Sequence, residues 1–315
     1  MHHLFLTLEI RLKVFIRSWP PFLAKEFTEY YICLQSKAQK YGVSQRKGFN
    51  YPYWLLLPIW LQSRYAKTDK RNDKRFLKDV LWVQYCLFLV LRIQDDLFDR
   101  HTHRLALIFA ANLFLLEVKR GLEPYFDAGS CFWKTWDHSL QTSTRAIVEI
   151  ATLQYSKQSA PQKLISEYRK VASIFNIGTV AYCLRYRRLK ELPLLEKFIA
   201  EMAVAGQLMD DLQDMKQDLD DGKYNYAVKR ILQRSGRSMV KPNKVRRALV
   251  HAILLTDGLE LFFKEIGKHL VIARKPVAQL DLAEALSLVQ SHLEGVEWIQ
   301  NHLRRKCIDI FFKNN

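Results

Sequence analysis

The chain has 315 residues, 49% of them hydrophobic, with a net charge of +17. That length holds one large domain or two ordinary ones, and the hydrophobic content is ample for a core. Only 11 Gly and 9 Pro argue against a turn-rich β protein. The basic residues are dispersed and show neither zinc-finger spacing nor an RNA-binding signature, which argues against specific nucleic-acid binding and leaves smaller anions or an anionic surface as partners.

Residues 1–20 are apolar but broken by Glu9, Arg11, Lys13 and Arg17. They are too interrupted for a signal peptide or a spanning helix. They predict an N-terminal amphipathic helix that either caps the domain or rests on a membrane surface. Helical periodicity then predicts helices over 22–41, 52–65, 73–100, 104–122, 131–156, 162–187, 191–219, 224–234, 242–267 and 277–312. Pro20-Pro21, Pro52, Pro124 and Pro193 punctuate the breaks, and Asp220-Asp221-Gly222 reads as a helix stop. Cys33, Cys86, Cys131, Cys183 and Cys307 are scattered and odd in number, so they read as reduced core residues of a cytoplasmic protein. No run alternates long enough for a sheet, and no repeat or linker divides the chain. The expectation is all-α: one domain over 1–315, a helical bundle around a central apolar cavity.

Two acidic clusters stand inside this apolar, helix-periodic sequence: Asp95-Asp96-Leu97-Phe98-Asp99 and Asp210-Asp211-Leu212-Gln213-Asp214. Residues at i and i+4 share a helix face, so Asp95 pairs with Asp99 and Asp210 with Asp214, and Asp218 adds a third turn. Solvated helix faces would account for one such cluster. Two, each after a long apolar run, point to a cation that offsets the repulsion and desolvation of crowded carboxylates. Oxygen-only ligands suit Mg²⁺, which completes its shell with water and substrate phosphates. In a bundle the two stripes can face each other across the cavity mouth and hold a diphosphate, with a hydrocarbon tail in the apolar depths. Leu87, Phe88, Val90, Leu91 and Phe175 are the candidate wall residues, with Trp54, Trp82 and Tyr182 as further aromatics.

Over about 47–228 the chain resembles the class I isoprenoid synthases: trans-prenyl diphosphate synthases, squalene and phytoene synthases, and class I terpene synthases. The resemblance rests on the two Asp-rich motifs, on Tyr168-Arg169-Lys170-Val171-Ala172, and on Gly222-Lys223 beyond the second motif. It implies an enzyme that ionises an allylic prenyl diphosphate. It also implies three Mg²⁺, replaceable by Mn²⁺, held by Asp95, Asp96, Asp99, Asp210, Asp211, Asp214 and Asp218. The implied diphosphate contacts are Arg104, Lys170 and Lys223, with Arg185 from the Arg185–Arg188 run. The departures are a missing basic anchor, where Lys47-Gly48-Phe49-Asn50-Tyr51 precedes Pro52, and a single Arg104 followed by Leu105-Ala106. They predict a terpene-synthase-like reaction of one substrate, C15 or longer. The alternatives are a trans-prenyltransferase of the polyprenyl or squalene/phytoene type, and a non-catalytic relative that only binds prenyl diphosphates. The expected protein is a monomer or homodimer, cytoplasmic, with peripheral membrane contact.

Overall fold

The computed structural model describes residues 2–40, 52–66, 70–98, 101–156, 160–234 and 257–313, and no strand occurs among them. They group into two compact units, Met1–Trp136 with Ile177–Leu192, and Asp137–Asn176 with Pro193–Asn315.

The first unit contains α1 (His2–Arg17), α2 (Pro21–Lys40), α3 (Tyr53–Tyr65), α4 (Lys70–Phe98), α5 (Leu107–Leu122), the start of α6 (Cys131–Tyr155) and α8 (Ile177–Arg185). Its core is aromatic. Phe15 packs edge-on against Trp82, and Trp19 and Phe27 both pack on Phe114 at 5.2–5.3 Å. Burying each such ring is worth about 1.5–3 kcal/mol. The predicted wall aromatics Trp54, Trp82 and Tyr182 are buried here as core. Gly178 lets α8 lie close on α4, because a Cβ there would stand 2.9 Å from Gln84 Nε2. Gln84 in turn donates to the Trp54 carbonyl of α3.

The second unit contains the rest of α6, α7 (Pro161–Val171), a 3-10 turn (Ala172–Asn176), most of α9 (Leu192–Gln213), α10 (Met215–Asp220), α11 (Tyr226–Arg234), α12 (Gly258–Gln279) and α13 (Ala283–Lys313). Its core includes Phe198, Tyr226, Phe262 and Phe263. Inside it, Glu201 joins Arg169 and His269. Arg169 Nε donates to Oε1 at 2.7 Å, and His269 Nδ1 lies 2.5 Å from Oε2. Burial alone would raise the Glu201 carboxyl; the His269 and Arg169 hydrogen bonds outweigh it and bring the pKa down to about 2.

Several boundaries differ from the sequence pattern. The helix expected over 162–187 breaks into α7, the 3-10 turn and α8. Serines support that break: Ser143 Oγ donates to the Val171 carbonyl, and Ser173 Oγ to the Ser139 carbonyl. The helix expected over 191–219 is interrupted at Asp214, and the one from 104 starts at Leu107. A break expected between 267 and 277 is absent. Burial of Ile266, Leu270, Ala273 and Val277 along one face carries α12 through Pro276. That helix ends three residues later at Gln279, and two residues beyond, Asp281 takes the left-handed φ of 50° usually left to glycine. The 242–256 part of the expected helix lies outside the described residues. Of the four cysteines whose side chains are described, Cys86 and Cys183 are buried as expected of core residues, whereas Cys33 and Cys131 are exposed.

Candidate active site

The first cluster sits in the last turn of α4. Asp95 faces solvent, whereas Asp96 is buried. The helical period explains the split. Asp96 follows Ile93 and Leu89, both fully buried, at i−3 and i−7; Asp95 follows the half-buried Leu91 and Phe88 at i−4 and i−7. Tyr30 of α2 donates its hydroxyl to Asp96 Oδ2 at 2.8 Å, and the Arg92 guanidinium forks over both aspartates, 3.1 Å from Asp95 Oδ2 and 2.9 Å from Asp96 Oδ1. His101 Nδ1 stands 3.5 Å from Asp96 Oδ1, and the Thr102 amide caps the Asp96 carbonyl. Asp99 lies outside the described residues.

The second cluster repeats this plan in the other unit. Asp210 is exposed and Asp211 buried, again with a buried residue, Leu208, at i−3 of the buried partner. Tyr168 of α7 donates to Asp211 Oδ2 at 2.8 Å, the Tyr226 amide donates to the same oxygen at 3.0 Å, and Gln207 Nε2 reaches Oδ1 at 3.3 Å. Burial pushes the Asp211 carboxyl up to about 8, against the pull of those three hydrogen bonds. In both clusters the buried aspartate therefore accepts a tyrosine hydroxyl from another helix and a contact from the residue four places earlier, Arg92 or Gln207. Asp96 and Asp211 were expected as metal ligands. Both are buried at the helix ends that carry their exposed neighbours, with Oδ2 of each accepting a tyrosine hydroxyl.

The face of the second stripe survives the helix interruption. Asp214 N–H donates to the Asp210 carbonyl at 2.8 Å and Asp218 N–H to the Asp214 carbonyl at 2.9 Å, so the three residues mark successive turns. The turn after α10 is the expected glycine stop. Gly222 has φ 75°, its amide donates to the Leu219 carbonyl, and the Lys223 amide donates to the Asp218 carbonyl at 2.7 Å. Asn225 then caps α11 through the Val228 amide, while its Nδ2 donates to Asp218 Oδ2 and to the Asp211 carbonyl. The sequence reading missed Asn225, although Asn before a helix is a recognisable cap. It also missed Tyr30, Tyr168 and Gln207 as supports of the aspartates, and no local signal marks Tyr30.

The basic residues fare unevenly. Lys223 is buried behind the turn. Lys170 is half exposed and 2.6 Å from Glu167 Oε1. Arg104 is held between Glu26 and Glu29 of α2, at 3.1 and 2.8 Å. Arg185 is corrected: it lies over the Phe76 ring at 4.6 Å and 3.6 Å from Asp73, in the first turn of α4. At 1.5 Å per residue that is about 33 Å from Asp95 along the helix, too far to share a diphosphate with it. Among the wall candidates Leu87 and Val90 are fully buried. Phe88, stacked on Trp54 at 5.2 Å, and Leu91 stay partly open on the Asp95 face, and Phe175 is partly open in the 3-10 turn.

The exposed donors fit a hard divalent cation in kind, being carboxylates alone. Among the described residues no three His, Cys, Asp or Glu side chains converge into a closed metal site.

No known family profile matches the sequence, and no curated protein does. Solved structures do. A heptaprenyl diphosphate synthase from Staphylococcus aureus is 15% identical, with 94% of this chain and 97% of that chain covered and a TM-score of 0.70. A geranylgeranyl pyrophosphate synthase from Corynebacterium glutamicum is 14% identical, with 94% and 92% covered and a TM-score of 0.66. A polyprenyl synthase from Caulobacter crescentus, complexed with calcium and isoprenyl diphosphate, is 14% identical, with 75% and 82% covered and a TM-score of 0.59. The chain has the all-α class I isoprenoid synthase fold, the fold of these prenyl diphosphate synthases.

Proposed function

We propose that the protein is a divalent-metal-dependent prenyltransferase that ionises an allylic prenyl diphosphate, releasing diphosphate, and joins its carbon chain to an alkene acceptor, which then loses a proton. The observation that carries the reading is the repeated carboxylate pair: one aspartate turned out to solvent, its neighbour buried and tied to a tyrosine. Asp95 with Asp99 in the first unit, and Asp210 with Asp214 and Asp218 in the second, would each bind divalent cations, which would supply Lewis-acid neutralisation of the leaving diphosphate. Asp96 and Asp211 orient those ligands from behind. Lys170 takes residual charge on the leaving group, and Lys223 supports the turn that bears Asp218. Phe88 and Leu91 receive the tail and keep water from the cation that forms. Transfer is favoured over cyclisation because the structural neighbours are prenyl diphosphate synthases, one of them complexed with isoprenyl diphosphate.

A second reading, one-substrate terpene-synthase chemistry, has one observation in its favour. Arg104, the basic residue in register to serve a second diphosphate, is occupied by Glu26 and Glu29. Incubation with C10 to C25 allylic diphosphates, with and without isopentenyl diphosphate, followed by product mass analysis, separates the two. Transfer gives elongated diphosphates only when isopentenyl diphosphate is present. Hydrocarbons formed from the allylic substrate alone would replace transfer by the second reading.

A further inference from the structure

Helix α1 carries two opposite faces. Leu4, Phe5, Leu8, Leu12 and Phe15 turn towards the protein, with Leu12 almost completely buried. The outward face is not the polar surface that such a helix ordinarily shows. Leu6, Ile10 and Val14 are spaced at i, i+4 and i+8 and are 47%, 54% and 61% exposed. Lys13, Arg17 and His3 interleave with them, all exposed, within an arc of roughly 100° on the helical projection. Glu9 stands at its edge. Beside α1, Arg75 and Lys78 of α4 line a recess with Thr7, Arg11 and Asp79; Asp79 pairs with Arg11 at 2.9 Å and Arg75 at 3.9 Å, and the surplus of basic residues continues onto the neighbouring helix.

We propose that this face of α1 docks on an anionic phospholipid surface. Leu6, Ile10 and Val14 enter the boundary between headgroups and acyl chains, while Lys13, Arg17, Arg75 and Lys78 meet the lipid phosphates. The occupant follows from charge complementarity. A cation-studded apolar stripe on a chain of net charge +17 repels a second copy of itself and attracts an anionic sheet. No helix among the described residues is long and apolar enough to cross a membrane, so the contact is peripheral. The inference does not depend on the reaction catalysed.

The test is co-sedimentation of the full chain with vesicles of phosphatidylglycerol and phosphatidylcholine, against phosphatidylcholine alone. Binding is expected on the anionic vesicles and should fall as salt rises. Lys13→Glu with Arg17→Glu should lower the bound-to-free ratio by about tenfold or more. Leu6→Ser, Ile10→Ser and Val14→Ser together should do the same with helical content unchanged. Equal binding to neutral vesicles, no vesicle binding at all, or variants that bind like the parent would overturn the proposal. So would conversion of a dimer to a monomer by the triple serine variant, which would assign the face to a second copy.

Discussion

Asp95 and Asp96 are neighbours in sequence with different surroundings, one exposed and one buried, and so are Asp210 and Asp211. Removing an exposed member should abolish chemistry with little effect on stability. Asp95→Ala and Asp210→Ala are each expected to reduce diphosphate release by orders of magnitude while the circular dichroism spectrum stays that of the parent. Removing a support of a buried member should act on stability. Tyr168→Phe deletes the hydroxyl on Asp211 and is expected to cost about 1–3 kcal/mol in a denaturant titration. A Tyr168→Phe protein as stable as the parent would show that Asp211 does not need that donor. The clusters themselves were plain in the sequence. Which aspartate faces out was also readable, since Asp96 continues the buried face of Leu89 and Ile93. The tyrosines were not, because contacts such as Tyr30 to Asp96 join residues 66 positions apart.

Among the elements, α4 carries the proposed tail contacts, for Phe88, Leu91 and Asp95 share its more open face. One helix turn rises about 5.4 Å, close to an isoprene unit. Leu91→Phe narrows that face one turn from Asp95 and should shift the preferred substrate to a shorter tail, read from turnover across C10 to C25. An unchanged length profile would return Leu91 to ordinary core. The approach of α8 to α4 depends on Gly178. Gly178→Ala forces a Cβ onto the buried Gln84 side chain, and overpacking of this kind costs about 1–3 kcal/mol, measurable as a lower denaturation midpoint. In the second unit, Glu201 makes a pH prediction. Its folded pKa is depressed to about 2 from an ordinary 4.5, so its stabilisation is complete above pH 4.5 and is lost as pH falls towards 2. Glu201→Gln should flatten the acid limb of the stability profile over that window. Most helices were legible from periodicity and punctuation. The 3-10 turn at Ala172–Asn176 was not, because it is set by serine contacts to distant carbonyls. The end of α12 was not either, because Asp281 replaces the expected glycine.

At the scale of the molecule, fold class and chemistry are unevenly encoded. Helical periodicity and two Asp-rich motifs foretold an all-α isoprenoid synthase fold, and the structural likeness to the Staphylococcus aureus synthase over 94% of this chain agrees at only 15% identity. The reaction subtype is less legible, because one basic residue in or out of register separates one diphosphate site from two, and Lys47 to Tyr51 lie outside the described residues. The sequence departures point to a single substrate, whereas transfer is the reading proposed above. Both readings share one claim: the exposed aspartates serve a metal-dependent cleavage of an allylic diphosphate. Its most direct test is inorganic diphosphate release from geranyl, farnesyl and geranylgeranyl diphosphates, each supplied with isopentenyl diphosphate, with Mg²⁺ and then with chelator, in the parent and in Asp95→Ala. The account predicts release by the parent with Mg²⁺, none with chelator, and almost none from Asp95→Ala under either condition. Binding of the substrates without any release by the parent in Mg²⁺, or release by Asp95→Ala equal to the parent's, would contradict it.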